Sequence, residues 1–197
     1  MKNKTGRRTG FTLMEILVAM VILVLVFGLL TLLYVRASKI RQTISTYNNV
    51  QDVLQQMLGL ITIGQKNSTA VSLQNAANVR PWGALTLDRY TLICSDWTAS
   101  NTSVYRIATD TSTVDTTMWT YDNGTWRTLD PNDRVTLAAG SKFEYVDYMG
   151  NPVVNPGSDN TVTMVKITLI GVSSSPSSPK VTISLQQAAR MNNKFPY

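Results

Sequence analysis

The sequence predicts an α+β protein in which one long N-terminal helix packs on a largely antiparallel β-sheet. A charge-free apolar run near the start continues into a pattern with helical periodicity, and the rest of the 197-residue chain is rich in strand patterns and tight-turn signals. No helical pattern lies between the later strands, so no crossover can join parallel neighbours and antiparallel pairing is expected. We expect four segments: a basic leader at 1–10, a membrane segment at 11–35, an amphipathic helix at 36–66 and a β-rich domain at 67–197.

The apolar run from 16 to 35 contains neither a charge nor a proline. A helix of that length spans roughly 30 Å, which is enough to cross a bilayer. The alternative is a buried core helix, but such helices usually keep a polar stripe and this run is apolar on all sides. We therefore predict a single membrane-spanning helix.

Basic residues precede this helix and set its predicted orientation. The leader carries four cations and no acid, which favours a cytoplasmic N-terminus and a globular domain outside the inner membrane. Three basic residues beyond the run weaken this charge asymmetry: Arg36, Lys39 and Arg41.

The only plausible processing point, between Gly10 and Phe11, lies before the apolar run. An ordinary secretory signal is cut after its apolar segment, so cleavage here leaves the helix on the mature protein. Cleavage also gives Phe11 a free α-amine.

Glu15 is unusual for a simple membrane anchor, because desolvating a carboxylate at the edge of the hydrocarbon region is costly. The new amine of Phe11 would lie one helical turn away. The carboxylate could pair with that amine in its own chain or with the amine of a neighbouring subunit. The alternative is a carboxylate that sits in the lipid headgroup zone.

The segment Gly10-Phe11-Thr12-Leu13-Met14-Glu15, between a basic leader and an apolar helix, resembles the N-terminal signal of type IV pilins and type II secretion pseudopilins. The resemblance covers roughly the first fifth of the chain. It implies that a prepilin peptidase cleaves after Gly10 and methylates Phe11, and that Glu15 acts in assembly. The implied partners are other pilins or pseudopilins and an inner-membrane assembly platform, and the implied destination is a pilus or pseudopilus.

Two features distinguish the chain from major pilins. Leu32 stands where a major pilin usually has a helix-breaking proline, and Cys94 is the only cysteine, so the terminal disulfide loop of many major pilins cannot form. Three later segments resemble the J-type pseudopilins and W-type minor pilins: Phe143–Tyr148 leading into Gly150, Val165–Leu169, and a last strand ending in Arg190-Met191-Asn192-Asn193. The expected function is therefore a minor pilin or pseudopilin at or near the filament tip.

Composition argues against enzymatic and nucleic-acid functions. Histidine is absent, which excludes the histidine-dependent catalytic and metal-binding arrangements, and no cofactor is expected. The net charge of +6 falls to +2 once the leader is removed, with 14 basic and 12 acidic residues remaining, so nucleic-acid binding is not expected.

Two further residue sets could form binding sites, but a structural interpretation is favoured for both. Several loop aspartates could supply calcium ligands, as happens in some pseudopilins, but no spacing matches an EF-hand, so solvated loop acids are favoured and no metal site is predicted. These are Asp110, Asp115, Asp122, Asp130 and Asp133. Four tryptophans could stack on sugars or bases in an adhesin or DNA-uptake receptor, which is the alternative function, although strand-face or core positions are favoured. These are Trp82, Trp97, Trp119 and Trp126.

Apolar residues recur at three- and four-residue steps from Ala37 to Ile61, which predicts that the helix continues beyond the membrane, with Gly59 and Gly64 near its end. A free-standing coiled coil is disfavoured because strand patterns follow. Residues 70–83 could form a second short helix or a loop. The predicted strands are Leu85–Cys94, Val104–Ala108, a hairpin over Met118–Leu129 turning at Asp122-Asn123-Gly124, Lys142–Met149, Thr161–Val172 and Lys180–Gln186.

Overall fold

A computed structural model of the chain describes residues 11–64, 71–76, 78–80, 90–95, 102–107, 118–122, 125–128, 130, 132, 134–153, 162–175 and 179–191. For residues 78, 91, 118–122 and 125–128 only the backbone is described. The chain divides into two compact units, residues 1–42 and 43–197.

One helix, α1 (Leu13–Thr62), contains the apolar run and the amphipathic continuation. No proline interrupts it, and Gly64 follows with a φ of 86°. Its last carbonyl groups are satisfied by the returning chain: Leu73 N–H donates to Ile61 O at 2.8 Å, and Gln74 N–H donates to Thr62 O at 3.0 Å. The helix therefore ends where the chain folds back against it.

The strands form two antiparallel sheets. The first contains β1 (Asn78–Arg80), β2 (Thr91–Ser95), β3 (Thr102–Ile107), β4 (Met118–Asp122) and β5 (Thr125–Thr128), paired in chain order. In the second, β6 (Val135–Leu137), β7 (Lys142–Val146) and β9 (Thr182–Arg190) all pair with β8 (Met164–Ser173). The α+β prediction with antiparallel pairing is thus confirmed.

A side chain joins the two short strands that share one edge of β8. β6 pairs with residues 171–173 of β8 and β7 with residues 164–168, which leaves a gap between them. Ser141 fills it, because its Oγ accepts a hydrogen bond from Ile170 N–H at 3.0 Å and donates to Ala138 O at 2.9 Å. β9 pairs with residues 164–172 and must therefore occupy the opposite edge of β8.

The core of the second unit lies between the C-terminal part of α1 and the sheets. The helix buries an apolar stripe with the spacing of one helical face: Val50, Val53, Leu54, Met57, Leu58 and Ile61. The helix lies close to the sheet at Gly171 of β8, where an added Cβ would lie 2.8 Å from Val135 Cγ1 and 3.0 Å from both Leu54 methyl carbons. Glycine at this position lets the helix approach the sheet.

Several sequence predictions need correction. Within residues 70–83, the loop alternative is the one observed over the described residues 71–76, but the strand β1 that follows was not predicted. β6 was not predicted. β9 continues beyond Gln186, where the strand pattern ends, to Arg190, which agrees with the last strand inferred from the family resemblance. The strands also divide into two sheets rather than one. The predicted turn residues 123 and 124 and the predicted strand residues 85–89 lie outside the described residues.

Candidate processing and assembly site

A reciprocal set of hydrogen bonds closes the N-terminus of α1. Thr12 N–H donates to Glu15 Oε2 at 3.0 Å, and Glu15 N–H donates to Thr12 Oγ1 at 3.3 Å. The Thr12 hydroxyl also donates to Glu15 Oε2 at 3.1 Å. This arrangement is a capping box, with Thr12 as the N-cap residue and Glu15 three residues later.

The capping box gives Glu15 a structural role in the unprocessed chain. The first N–H groups of a helix have no partner within the helix, and the partial positive charge at that end favours a carboxylate. Glu15 supplies both the acceptor and the negative charge. Its carboxylate consequently lies beside the backbone nitrogen of the residue that follows Phe11.

Sequence reasoning identified Glu15 but missed Thr12. The signal was present, because a threonine followed three residues later by glutamate at the start of an apolar run is the sequence signature of a capping box. The predicted partner, the α-amine of Phe11, does not exist before cleavage, since that nitrogen belongs to the peptide bond with Gly10. The ion pair stays a prediction, and Gly10 itself lies outside the described residues.

The N-terminal part of α1 is not covered by any of the described residues. Every residue from 11 to 37 is exposed, and Phe11 is 83% exposed. Phe11, Glu15, Ile16, Ala19, Met20 and Leu23 line a shallow groove along one face. The helix is long and apolar enough to cross a membrane, with a mean hydropathy of 3.2 in its most apolar window. Its apolar surface therefore requires lipid or other protein helices.

The other residues singled out in the sequence do not form a site among the described residues. Asp130 is buried and accepts a hydrogen bond from Val135 N–H at 2.8 Å, which closes the loop before β6. Asp110, Asp115 and Asp133 lie outside the described residues, as does the side chain of Asp122. In the described part of the chain, no group of three or more acidic or cysteine side chains could hold a metal ion.

The remaining candidates carry no information about binding. Trp82 and Trp97 lie outside the described residues, and the side chains of Trp119 and Trp126 are not described either. Cys94 is buried in the core, and this burial raises the pKa of its thiol. The alternative function as an adhesin or DNA-uptake receptor therefore stays an untested prediction.

Comparison with known protein families gives a match that covers the capping box and most of the apolar run. Residues 5–31 match a protein-family model described as a prokaryotic N-terminal methylation motif. No curated protein and no solved structure matches the chain. The match supports a type IV pilin-like protein, and it fits a pilin or pseudopilin precursor.

This motif has direct consequences for processing and location. It implies cleavage by a prepilin peptidase and assembly with other pilins, and it points to a structural subunit rather than an enzyme. Together with the apolar helix, it is consistent with a single-pass protein of the inner membrane.

Proposed function

We propose that the chain is a minor pilin or pseudopilin, which assembles through its N-terminal helix into a type IV pilus or a type II secretion pseudopilus, at or near the tip. The prepilin peptidase removes residues 1–10 by cleaving after Gly10 and then methylates Phe11. The mature chain comprises a membrane segment at 11–35, an amphipathic continuation at 36–66 and a globular domain at 67–197. The domain faces the periplasm until the subunit leaves the membrane.

The observation that carries this proposal is the capping box inside the matched motif. It holds the Glu15 carboxylate at the helix terminus, one residue away from the nitrogen that cleavage converts to an amine. The mature protein thus has an anion and a cation close together at the end of an exposed apolar helix. These are the groups that a neighbouring subunit can pair with.

Pairing between subunits would fix the axial position of one helix against the next. When helices pack in a filament core, an unpaired carboxylate among them costs several kcal/mol. The Phe11 amine of an adjacent subunit is a suitable cation for Glu15. Apolar packing alone tolerates sliding between helices, so the ion pair supplies the register.

A minor role is supported by residues that differ from the major-pilin pattern. Leu32 replaces the usual proline, and α1 continues through that position. Cys94 is buried and is the only cysteine, so no intrachain disulfide can form in the domain. Quantitative mass spectrometry of purified filaments should therefore find far fewer copies of this chain than of the main subunit. Equal abundance would contradict the minor assignment.

The test of assembly replaces Glu15 with valine. The Glu15→Val chain should still insert into the membrane, because the apolar span is unchanged, but its incorporation into filaments should fall by about tenfold or more, which corresponds to about 1.4 kcal/mol of lost pairing. Immunoblots of sheared filaments and of membrane fractions measure the two quantities separately.

A matched control separates the capping role of Glu15 from its charge. Glutamine also completes a capping box, so Glu15→Gln keeps the helix N-terminus but cannot form an ion pair. The proposal predicts that Glu15→Gln assembles as poorly as Glu15→Val. Normal assembly of Glu15→Gln would show that the cap, and not the charge, is what the filament requires.

A further inference from the structure

The outer edge of β9 carries backbone hydrogen-bonding groups that no other described strand pairs with. Among the described residues, β9 pairs only with β8, along the whole register from Met164↔Arg190 to Val172↔Thr182. At nine residues, β9 is longer than most edge strands that proteins leave exposed.

Two hydrogen bonds, one at each end of β9, show which of its backbone groups point outward. Ser173 N–H donates to Val181 O at 3.1 Å, and Met191 N–H donates to Thr163 O at 3.1 Å. In an antiparallel pair the hydrogen-bonded positions alternate, so the odd-numbered residues of β9 bond to β8. The even-numbered residues therefore direct their N–H and C=O groups away from β8: Thr182, Ser184, Gln186 and Ala188, followed by Arg190.

The side chains of β9 alternate in the same register. Ile183 is buried, Leu185 and Ala189 pack partly against the core, and all five even-numbered side chains are exposed. An added strand would lie beside β9 without displacing any core side chain. Its exposed face would continue the outer face of the second sheet.

Basic residues surround this edge. Lys180 precedes β9 and Arg190 ends it, both exposed, and no acidic residue occurs between Ser173 and the end of the chain. On the neighbouring strand β8, the exposed Lys166 lies opposite the small side chain of Ala188. On the other side of Lys166, Glu144 of β7 lies opposite it in the register and forms an ion pair with Lys142 at 2.7 Å.

We propose that the β9 edge binds an extended acidic segment of another protein by strand addition. Its backbone pairs with the outward groups of the even-numbered residues, and its carboxylates lie on the face that Lys166, Lys180 and Arg190 share. A residue of the added strand opposite Ala188 would lie two strand spacings from Lys166, with about 10 Å between the two Cα atoms. The extended side chains of a glutamate at that position and of Lys166 can together bridge this distance. Main-chain pairing supplies affinity and the cations select the charge of the partner. This surface does not depend on the leader or on Glu15.

Amide hydrogen exchange tests the edge directly, with the odd-numbered residues of β9 as an internal control. The measurement uses the full chain in detergent micelles and a short capped peptide of alternating valine and glutamate. In the free protein the amides of 184, 186 and 188 should exchange quickly and those of 183, 185 and 187 slowly. The peptide should slow exchange at the even-numbered positions and leave the odd-numbered ones unchanged.

Two variants separate the backbone contribution from the charge. Gln186→Pro removes one outward N–H at an edge position where proline is tolerated, and should weaken peptide binding about tenfold, whereas Gln186→Ala keeps the N–H and should bind normally. Lys166→Glu should weaken the glutamate peptide and improve a matched peptide with lysine in place of glutamate. Circular dichroism verifies that each variant is folded.

Three outcomes would overturn the proposal. Protection of the even-numbered amides in the free protein would show that the edge is already covered, either by this chain or by a second copy. Protection by a second copy would increase with protein concentration, whereas protection within one chain would not. Equal binding of the glutamate and lysine peptides would show that the edge does not select an acidic partner. Failure of both peptides to bind would remove strand addition altogether.

Discussion

The two ends of α1 show opposite relations between sequence and burial. Residues 16–35 are its most apolar part, yet each of them is exposed, whereas the less apolar stretch from 43 to 62 buries eight side chains. Hydrophobicity alone therefore does not place a residue in the core. What matters is whether a covering surface is present: the described sheets cover the C-terminal stretch, whereas no described residue covers the N-terminal one, whose apolar surface requires lipid or other helices.

Matched leucine truncations in this one helix should give the largest difference. Leu54 is fully buried, so Leu54→Ala should lower the free energy of unfolding by about 2–5 kcal/mol through lost burial and a cavity. Leu30 is 54% exposed, so Leu30→Ala should change the free energy of unfolding by less than about 0.5 kcal/mol. Denaturant unfolding of the full chain in detergent micelles, followed by tryptophan fluorescence, measures both. Equal effects would show that the burial contrast is wrong.

Glycine substitutions sharpen the comparison at smaller magnitude. Gly171→Ala places a methyl group 2.8 Å from Val135 Cγ1, and the crowding should cost about 1–3 kcal/mol. Gly59 lies within α1 with no atom within 4 Å of an added Cβ, so Gly59→Ala should stabilise by about 0.5–1 kcal/mol. Thermal unfolding should therefore shift in opposite directions for the two variants.

A double substitution checks that the helix causes the crowding at Gly171. Two of the three closest contacts come from Leu54, so Gly171→Ala should cost less in a Leu54→Ala background than in the parent chain. Additive effects would place the strain at Val135 alone.

The smallest expected effect is a pH dependence from the turn after β7. The backbone N–H of Asn151 donates to the Asp147 carboxylate and lowers its pKa, assisted by the N–H of Met149. A lowered pKa adds stability above the ordinary value for aspartate, and that stability is lost as the pH falls through the lower native value. Asp147→Asn should therefore lower the melting temperature slightly at pH 7, and the difference from the parent chain should shrink as the pH falls below the ordinary pKa of aspartate and through the lowered native pKa of Asp147. A constant difference across that range would contradict the assignment.

The features that sequence reasoning found are those with a clear local period. The length of α1, the hairpin of β4 and β5, and β8 follow from apolar spacing and turn residues. β1 and β6 have three residues each, too few to show an alternating pattern. Gln186–Ala189 contains good helix formers, but the ladder with β8 continues through them, so tertiary pairing overrides propensity.

At the candidate site, too, sequence reasoning found one of the two capping residues and missed the other. Glu15 was conspicuous as an acid beside an apolar span, while Thr12 was overlooked as an ordinary polar residue although the spacing of the capping box was present. The division into two sheets could not be predicted in this way, because a strand pattern does not show whether consecutive strands pair, and β5 and β6 belong to different sheets.

The central claim is that processing keeps the apolar helix and frees the amine of Phe11, and the mass of the mature protein tests it most directly. Protein purified from cells that contain the cognate prepilin peptidase should begin at an N-methylated Phe11, with residues 1–10 absent. A mature chain that begins after residue 35, or one that retains the leader in assembled filaments, would contradict the account.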